Sequence, residues 1–168
     1  RGDTDPINHL LTRPAAMEAE AVHRVAVLAE IARCPLVIVH ISSQDAFAEA
    51  VAARDRGLPV FTETCPQYLW LAVEDVPGGF EGAKFVCSPP LRHRSEGHQA
   101  ALWAGIASGR MDVVATDHCP FTWEQKEAGR GDFRRIPNGI GVVEHRMDLV
   151  YQGVVEGWIP LTRWVEVT

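Results

Sequence analysis

Two apolar runs, each ending on a polar residue that can carry chemistry, constrain this chain more than any other feature. Leu36-Val37-Ile38-Val39 closes on His40, and Asp112-Val113-Val114-Ala115-Thr116 closes on Asp117. The first run is apolar throughout rather than alternating, which predicts a parallel strand buried on both faces, and the second reads as a further buried strand. In parallel α/β sheets and barrels, sites form at the carboxyl edge of the strands, where His40 and Asp117 lie.

The chain between and around these runs repeats one pattern. Arg13-Pro14 opens a helix predicted over residues 15–32, with Val22, Val25, Leu28 and Ala29 at helical spacing. Ser42 or Ser43 is placed to cap a helix over residues 44–56, which Gly57 stops. A strand follows over 59–64, then a loop containing Pro66, Pro77, Gly78 and Gly79. Residues 84–87 read as a short strand halted by Pro89-Pro90. Residues 96–108 read as a helix, with Ala100, Leu102, Trp103 and Ile106 as its candidate buried face. A loop over 118–141 leads to a helix near 142–155, and 161–167 is also compatible with helix. Strand and helix in alternation define an α/β protein with a parallel sheet. Two architectures fit: a small doubly wound sheet, or part of a (β/α)8 barrel, whose full form takes about 250 residues. No GxGxxG or GxxxxGK[ST] follows a strand, so the usual nucleotide signatures of the doubly wound form are missing.

Composition narrows the function classes. The 168 residues bound the chain to about one domain, and 16 basic against 22 acidic residues leave a net charge of -6. That balance argues against a nucleic-acid or anionic-membrane surface. No apolar run approaches the roughly 20 residues of a membrane helix, and no signal peptide opens the chain. Cys34, Cys65, Cys87 and Cys119 form no CxxC pair, and are expected to be reduced thiols in a cytoplasmic protein. The chain opens on Arg1 rather than Met and stops directly after a helix-compatible run. A processed protein or a piece of a longer one is expected.

A histidine and an aspartate at strand ends suit a divalent metal, through imidazole nitrogen and carboxylate oxygen. With equal weight, His40 is a hydrogen-bonded strand-end residue and Asp117 caps a turn. His118 either faces the same cavity or bonds nearby backbone. His93 and His98 lie in a polar loop expected to be solvated, and His9, His23 and His145 look like surface positions. Ser88-Pro89-Pro90 is a stiff turn with two missing N–H donors. Pro137-Asn138-Gly139 is a second tight turn, with Asn and Gly suited to positive φ. Either turn can present main-chain groups to a ligand, and either can be ordinary turn chemistry.

Taken in order, a set of segments resembles the dihydropyrimidinase/hydantoinase branch of the amidohydrolase superfamily. They are Arg13-Pro14 with Glu18-Ala19-Glu20-Ala21, Val39-His40, Glu63-Thr64-Cys65-Pro66-Gln67-Tyr68-Leu69, and Phe80-Glu81-Gly82-Ala83-Lys84. Ser88-Pro89-Pro90-Leu91-Arg92, Thr116-Asp117-His118-Cys119-Pro120-Phe121, Gly131-Asp132-Phe133 and Ile136-Pro137-Asn138-Gly139 complete them. The resemblance implies an α/β fold, the C-terminal part of a (β/α)8 TIM barrel, and metal-dependent hydrolysis of a cyclic amide such as a dihydropyrimidine or a 5-substituted hydantoin. It implies a binuclear zinc centre bridged by a carboxylated lysine and a hydroxide. His40 and Asp117 would be metal ligands, Asp117 also the proton-transferring catalytic base, and Ser88 and Asn138 main-chain substrate-binding residues. The partner would be a small cyclic amide, with no nucleic acid and no membrane, and the protein a cytoplasmic homo-oligomer, a tetramer in the family pattern.

The family pattern also needs a His-x-His pair, the carboxylated lysine and a further histidine. No His-x-His serves here, and Lys84 and Lys126 do not match the carboxylated lysine. Those ligands are expected upstream of Arg1, so that residues 1–168 form a partial catalytic barrel without its N-terminal half or C-terminal segment. Val37, Val39, Val60, Val113 and Ala115 lie on the strands whose inner face would then be open. Dihydroorotases and allantoinases are the nearest competing enzymes, and dihydroorotases tend to have His where Gln67 stands. Collapsin-response mediator proteins, which keep the fold and have lost metal ligands, are the non-enzymatic alternative.

Overall fold

In the computed structural model, which describes residues 3–168, a proline precedes each of the first two helices. The ring fixes φ and lacks an N–H, a loss that costs nothing at a helix start. The short α1 (Ile7–Leu11) leads to α2 (Ala15–Ala32), which has the expected bounds. α2 ends with Arg33 in the left-handed region at φ 53°, while Arg33 and Cys34 amides donate to the Glu30 and Ala29 carbonyls. Those bonds satisfy carbonyls that a helix end otherwise orphans. The buried line of α2 is Val22, Ala26 and Ala29; Val25 and Leu28, expected on the same stripe, are exposed.

β1 (Leu36–Ile38) is followed by α3 (Gln44–Asp55), whose first turn is capped by Ser43 Oγ accepting from the Ala46 amide. β2 (Val60–Thr64) runs directly into α4 (Pro66–Trp70), where a loop was expected. α5 (His98–Ala107) buries Leu102, Trp103 and Ile106 as read, but leaves Ala100 exposed. It starts two residues late, because Gly97 at φ 78° closes a preceding 3-10 turn. β3 (Val113–Val114) leads to α6 (Trp123–Glu127), a helix inside the expected loop. Thr122 and Gln125 cap α6 reciprocally, side chain to amide in both directions. α7 (Arg146–Val155) and α8 (Leu161–Val167) close the chain.

The strands form one parallel sheet in the order β1-β2-β3, with Leu36 opposite Val60 and Thr64 opposite Val114. α2 packs on β1, α3 on β2 and α8 on β3. Ile38, Val60, Thr62, Thr64 and Val114 turn to the helix side and are buried. The other face carries Val37 at 59%, Phe61 at 52%, Val39 at 45% and Val113 at 42% exposure. Burial on both faces of these strands is therefore not met among the described residues. Side chains alternate along a strand, which also places Val60 on the helix side rather than on the open face. Among the described residues, helices pack on one face of the sheet only. A doubly wound sheet is covered on both faces, whereas a barrel strand turns one face to the helices and one inward.

The segment read as a strand over 84–87 is a 3-10 turn, Gly79–Phe85, continuing into extended but unladdered backbone. The Val86 carbonyl is taken by the Gly139 amide and by Lys126, and among the described residues no strand pairs with this segment. Trp70 at the end of α4, Trp103 on α5 and Trp158 meet edge-to-face or tilted, with ring centroids 5.2–5.7 Å apart. α7 closes on them through Gly153, where a Cβ would stand 2.5 Å from the Trp103 ring.

Candidate active site

His40 follows β1 and Asp117 follows β3, and both take left-handed backbone, at φ 44° and 47°. Such conformations cost about 1–3 kcal/mol in a non-glycine residue and persist only where the surroundings impose them. Arg33, the third such residue, has an ordinary helix end to account for it; His40 and Asp117 do not. What imposes the turn at His40 is visible. The Ile41 amide donates to the Glu63 carbonyl at 2.8 Å, Thr64 Oγ1 donates to the Ile41 carbonyl at 2.7 Å, and the His40 amide points to Glu63 Oε1 at 3.4 Å. Just beyond, the Ser42 amide and hydroxyl both donate to Glu18, which pairs at 2.8 Å with the buried Arg92.

β2 separates β1 from β3, so the two strand ends are two ladder spacings apart, about 10 Å. Among the described residues, neither the half-buried His40 ring nor the exposed Asp117 carboxylate has a hydrogen-bond or ion-pair partner. The hydrogen-bonded strand-end histidine and the turn-capping aspartate are thus both absent. An unbonded imidazole nitrogen and carboxylate oxygen fit a divalent metal as donors, but as part of a set only. A catalytic zinc takes three protein ligands, and among the described residues no three candidate side chains gather.

The other histidines have partners within the protein. His118 Nδ1 accepts from the Val142 and Val143 amides, each at 3.1 Å. Residues 143–145 form a turn, and α7 starts at Arg146 rather than near 142. His98, expected to be solvated, is 1% exposed; it accepts from the Gln44 amide and reaches Glu96 with its other nitrogen. His9, expected at the surface, is equally buried, with Nε2 at 2.8 Å from the Cys87 carbonyl. Burial lowers its pKa below the ordinary imidazole value, so the neutral ring donates that bond. His23, His93 and His145 do pair with surface carboxylates.

The turns at Ser88 and Asn138 are held against one another. The Gly139 amide donates to the Val86 carbonyl at 2.9 Å. Lys126 Nζ donates to the Val86, Pro137 and Gly139 carbonyls at 3.1, 2.9 and 3.0 Å. Tyr68 Oη donates to the Pro89 carbonyl at 2.8 Å, and the Cys119 amide to Ile140 at 3.2 Å. The carbonyls of Val86, Cys87 and Pro89 are therefore all engaged, while among the described residues the main-chain groups of Ser88 and Asn138 are left free. Asn138 itself does not adopt the positive φ expected of it. Gly139 is dictated by proximity: a Cβ there would stand 2.1 Å from the Cys119 carbonyl oxygen.

Burial pushes the Cys87 thiol up to about 12, and the Cys65 thiol and Tyr68 hydroxyl well above their usual ranges. These groups stay protonated near neutral pH and are not nucleophiles. Lys126, His9, Tyr68 and Glu63 enter the site's framework in roles the sequence does not assign them: Lys126 is set aside there, His9 reads as a surface position, and Glu63 and Tyr68 stand only within a matching segment. Only the cis Ser88–Pro89 peptide lies in a segment whose pattern, Ser-Pro-Pro, marks a special backbone.

No family model matches the chain. Curated relatives do. A D-hydantoinase from Streptomyces coelicolor is 56% identical over 99% of this chain, and one from Rhizobium radiobacter is 46% identical over 98%. The chain spans 36% of the length of each. Among solved structures, a dihydropyrimidinase from Brevibacillus agri is 44% identical and superposes with a TM-score of 0.95, over 99% of this chain and 36% of that one.

Proposed function

We propose, since this chain belongs over nearly its whole length to the hydantoinase and dihydropyrimidinase family, that it is the later part of a (β/α)8 catalytic barrel that opens a cyclic amide by hydrolysis. One observation carries the reading: two strand ends present His40 and Asp117 in left-handed backbone with unbonded side chains, at the carboxyl end of one parallel sheet. The substrate class is a dihydropyrimidine or a 5-substituted hydantoin.

The chain's own residues divide the work. The free main-chain groups of Ser88 and Asn138 offer hydrogen bonds to the C=O and N–H edge of a ring amide. Because those turns are already fixed by neighbouring bonds, they orient the ring without reorganising when charge develops. His40 and Asp117 would supply two ligands of a zinc centre whose remaining ligands lie outside this chain. Held there, zinc would supply Lewis-acid polarisation of the amide carbonyl and would lower the pKa of water from about 15.7 to about 7. The Asp117 carboxylate takes a proton from the attacking water and returns it to the ring nitrogen as the C–N bond breaks. The water oxygen ends on the carbonyl carbon as a carboxylate, one water proton ends on the freed nitrogen, and the other is released to solvent. Proton transfer of this kind contributes about 10²–10⁴-fold.

The same reading makes the whole protein a cytoplasmic homo-oligomer, a tetramer in the family pattern, acting on a small molecule. A net charge of -6 supports the absence of nucleic acid, and among the described residues no helix is long and apolar enough to cross a membrane. The test is a protein carrying this segment within the relatives' full length, supplied with zinc or manganese. Ring opening of dihydrouracil or a 5-substituted hydantoin is expected. No turnover of any dihydropyrimidine, hydantoin or cyclic imide overturns the reading.

A further inference from the structure

We propose that Lys126 is a positioning residue of this site: its ammonium clamps the Ser88 and Asn138 segments at one separation, so that a ring amide meets both at once. The proposal rests on Ser88 and Asn138 being the substrate-binding turns.

An ammonium has three donors and no acceptor, and all three are used here on main-chain carbonyls. The carbonyls are not scattered. Pro137 and Gly139 flank Asn138, and Val86 lies two residues before Ser88. One charge therefore grips both sides of one turn and the root of the other. The side chain is 4% exposed, and among the described residues it has no carboxylate partner. A buried cation compensated only by carbonyl dipoles is a costly way to fill space, and an apolar side chain of the same length would fill it more cheaply. What the apolar side chain lacks is the ability to draw three oxygens from two segments to one point. Burial lowers the lysine pKa, as expected of a cation without an anion beside it.

The clamp is also tied to Asp117. Lys126 sits on α6, the first helix after Asp117, and the reciprocal Thr122–Gln125 cap fixes where that helix starts. The Phe121 ring, between the two, lies 5.6 Å from Nζ. The segment leaving the proposed base thus carries the group that sets the two binding turns.

In the full-length protein, Lys126→Met removes the charge and keeps the length. A KM for dihydrouracil or hydantoin raised by about tenfold or more is expected, with bound metal unchanged. Lys126→Arg, which keeps the cation, should lie between Met and wild type. A wild-type protein inactive on every cyclic amide sinks the functional reading itself. Active wild type with an unchanged KM in Lys126→Met overturns the clamp alone. If neither variant yields folded protein, Lys126 belongs to the stability of the whole fold, and its positioning role is likewise overturned.

Discussion

The Gly139 amide donates to the Val86 carbonyl at 2.9 Å, and that single bond joins the turn bearing Asn138 to the segment bearing Ser88. Around it, a carbonyl of one turn and two of the other converge on Lys126, and the Cys87 carbonyl is met by His9 from the start of the chain. Two exposed residues with free main-chain groups are thus mounted on a buried, fully bonded frame. Preorganised donors and acceptors are what a hydrolytic site needs where an amide is to be held while its charge shifts.

Gly139→Ala tests that frame without touching a reacting group. Its Cβ would stand 2.1 Å from the Cys119 carbonyl oxygen, a backbone atom with no easy way to yield. Overpacking of this kind costs about 1–3 kcal/mol. In the full-length protein the expected outcome is a raised KM for the cyclic amide and a lower melting temperature, with metal content near wild type. Unaltered KM and melting would show that the two turns need not meet as they do here.

Asp117→Asn should remove nearly all turnover. An amide does not accept the proton and is a weak metal ligand, and general-base catalysis alone accounts for about 10²–10⁴-fold. His40→Ala should lower bound metal as well as rate. Wild-type turnover in the first variant, or full metal occupancy in the second by elemental analysis, removes that residue from its role.

Much of the frame was not legible in the sequence, and the reasons are physical. The bounds of α2 are local matters: Pro14 starts it, and the chain turns left-handed at Arg33. The strands announce themselves because apolar runs need burial on at least one side. By contrast, His9 finds its partner 78 residues away, and Lys126 reaches one carbonyl 40 residues back. No window of neighbouring residues carries such a signal. The backbone at His40 is set by Glu63, Thr64 and Ile41 together, so the positive φ is tertiary in origin. The histidine at position 9 sits in an Asn-His-Leu-Leu stretch that reads equally well as a surface turn.

His9 makes stability depend on pH. Its folded pKa lies below the ordinary value of 6.5 because burial penalises the charged ring. As pH falls below 6.5 the unfolded chain takes up the proton first, so it binds more protons than the folded state and stability drops. The contribution is fully present above 6.5 and is lost as pH falls towards the folded pKa. The melting temperature should fall from pH 7.5 to pH 5, and His9→Gln, which does not titrate, should flatten part of that fall. An unchanged slope in the variant assigns the acid sensitivity elsewhere.

Residues 1–168 produced alone should be inactive and prone to self-association. His40 and Asp117 offer two ligands, where a catalytic zinc takes about three protein ligands and a water. The sheet meanwhile leaves β1 and β3 as edges, and its open face presents Val37, Val39, Phe61 and Val113, each more than two-fifths exposed. Unpaired, apolar strand edges template pairing with another chain. Association through this face can hide the valines, but it does not supply the ligands that the relatives' remaining length is proposed to hold. Chelator competition should therefore find weak metal binding, light scattering should find oligomers of no fixed size, and hydantoin hydrolysis should stay at background. A monomer that melts cooperatively and turns over hydantoin would mean that the sheet's open face needs no covering and that the site is complete within these residues.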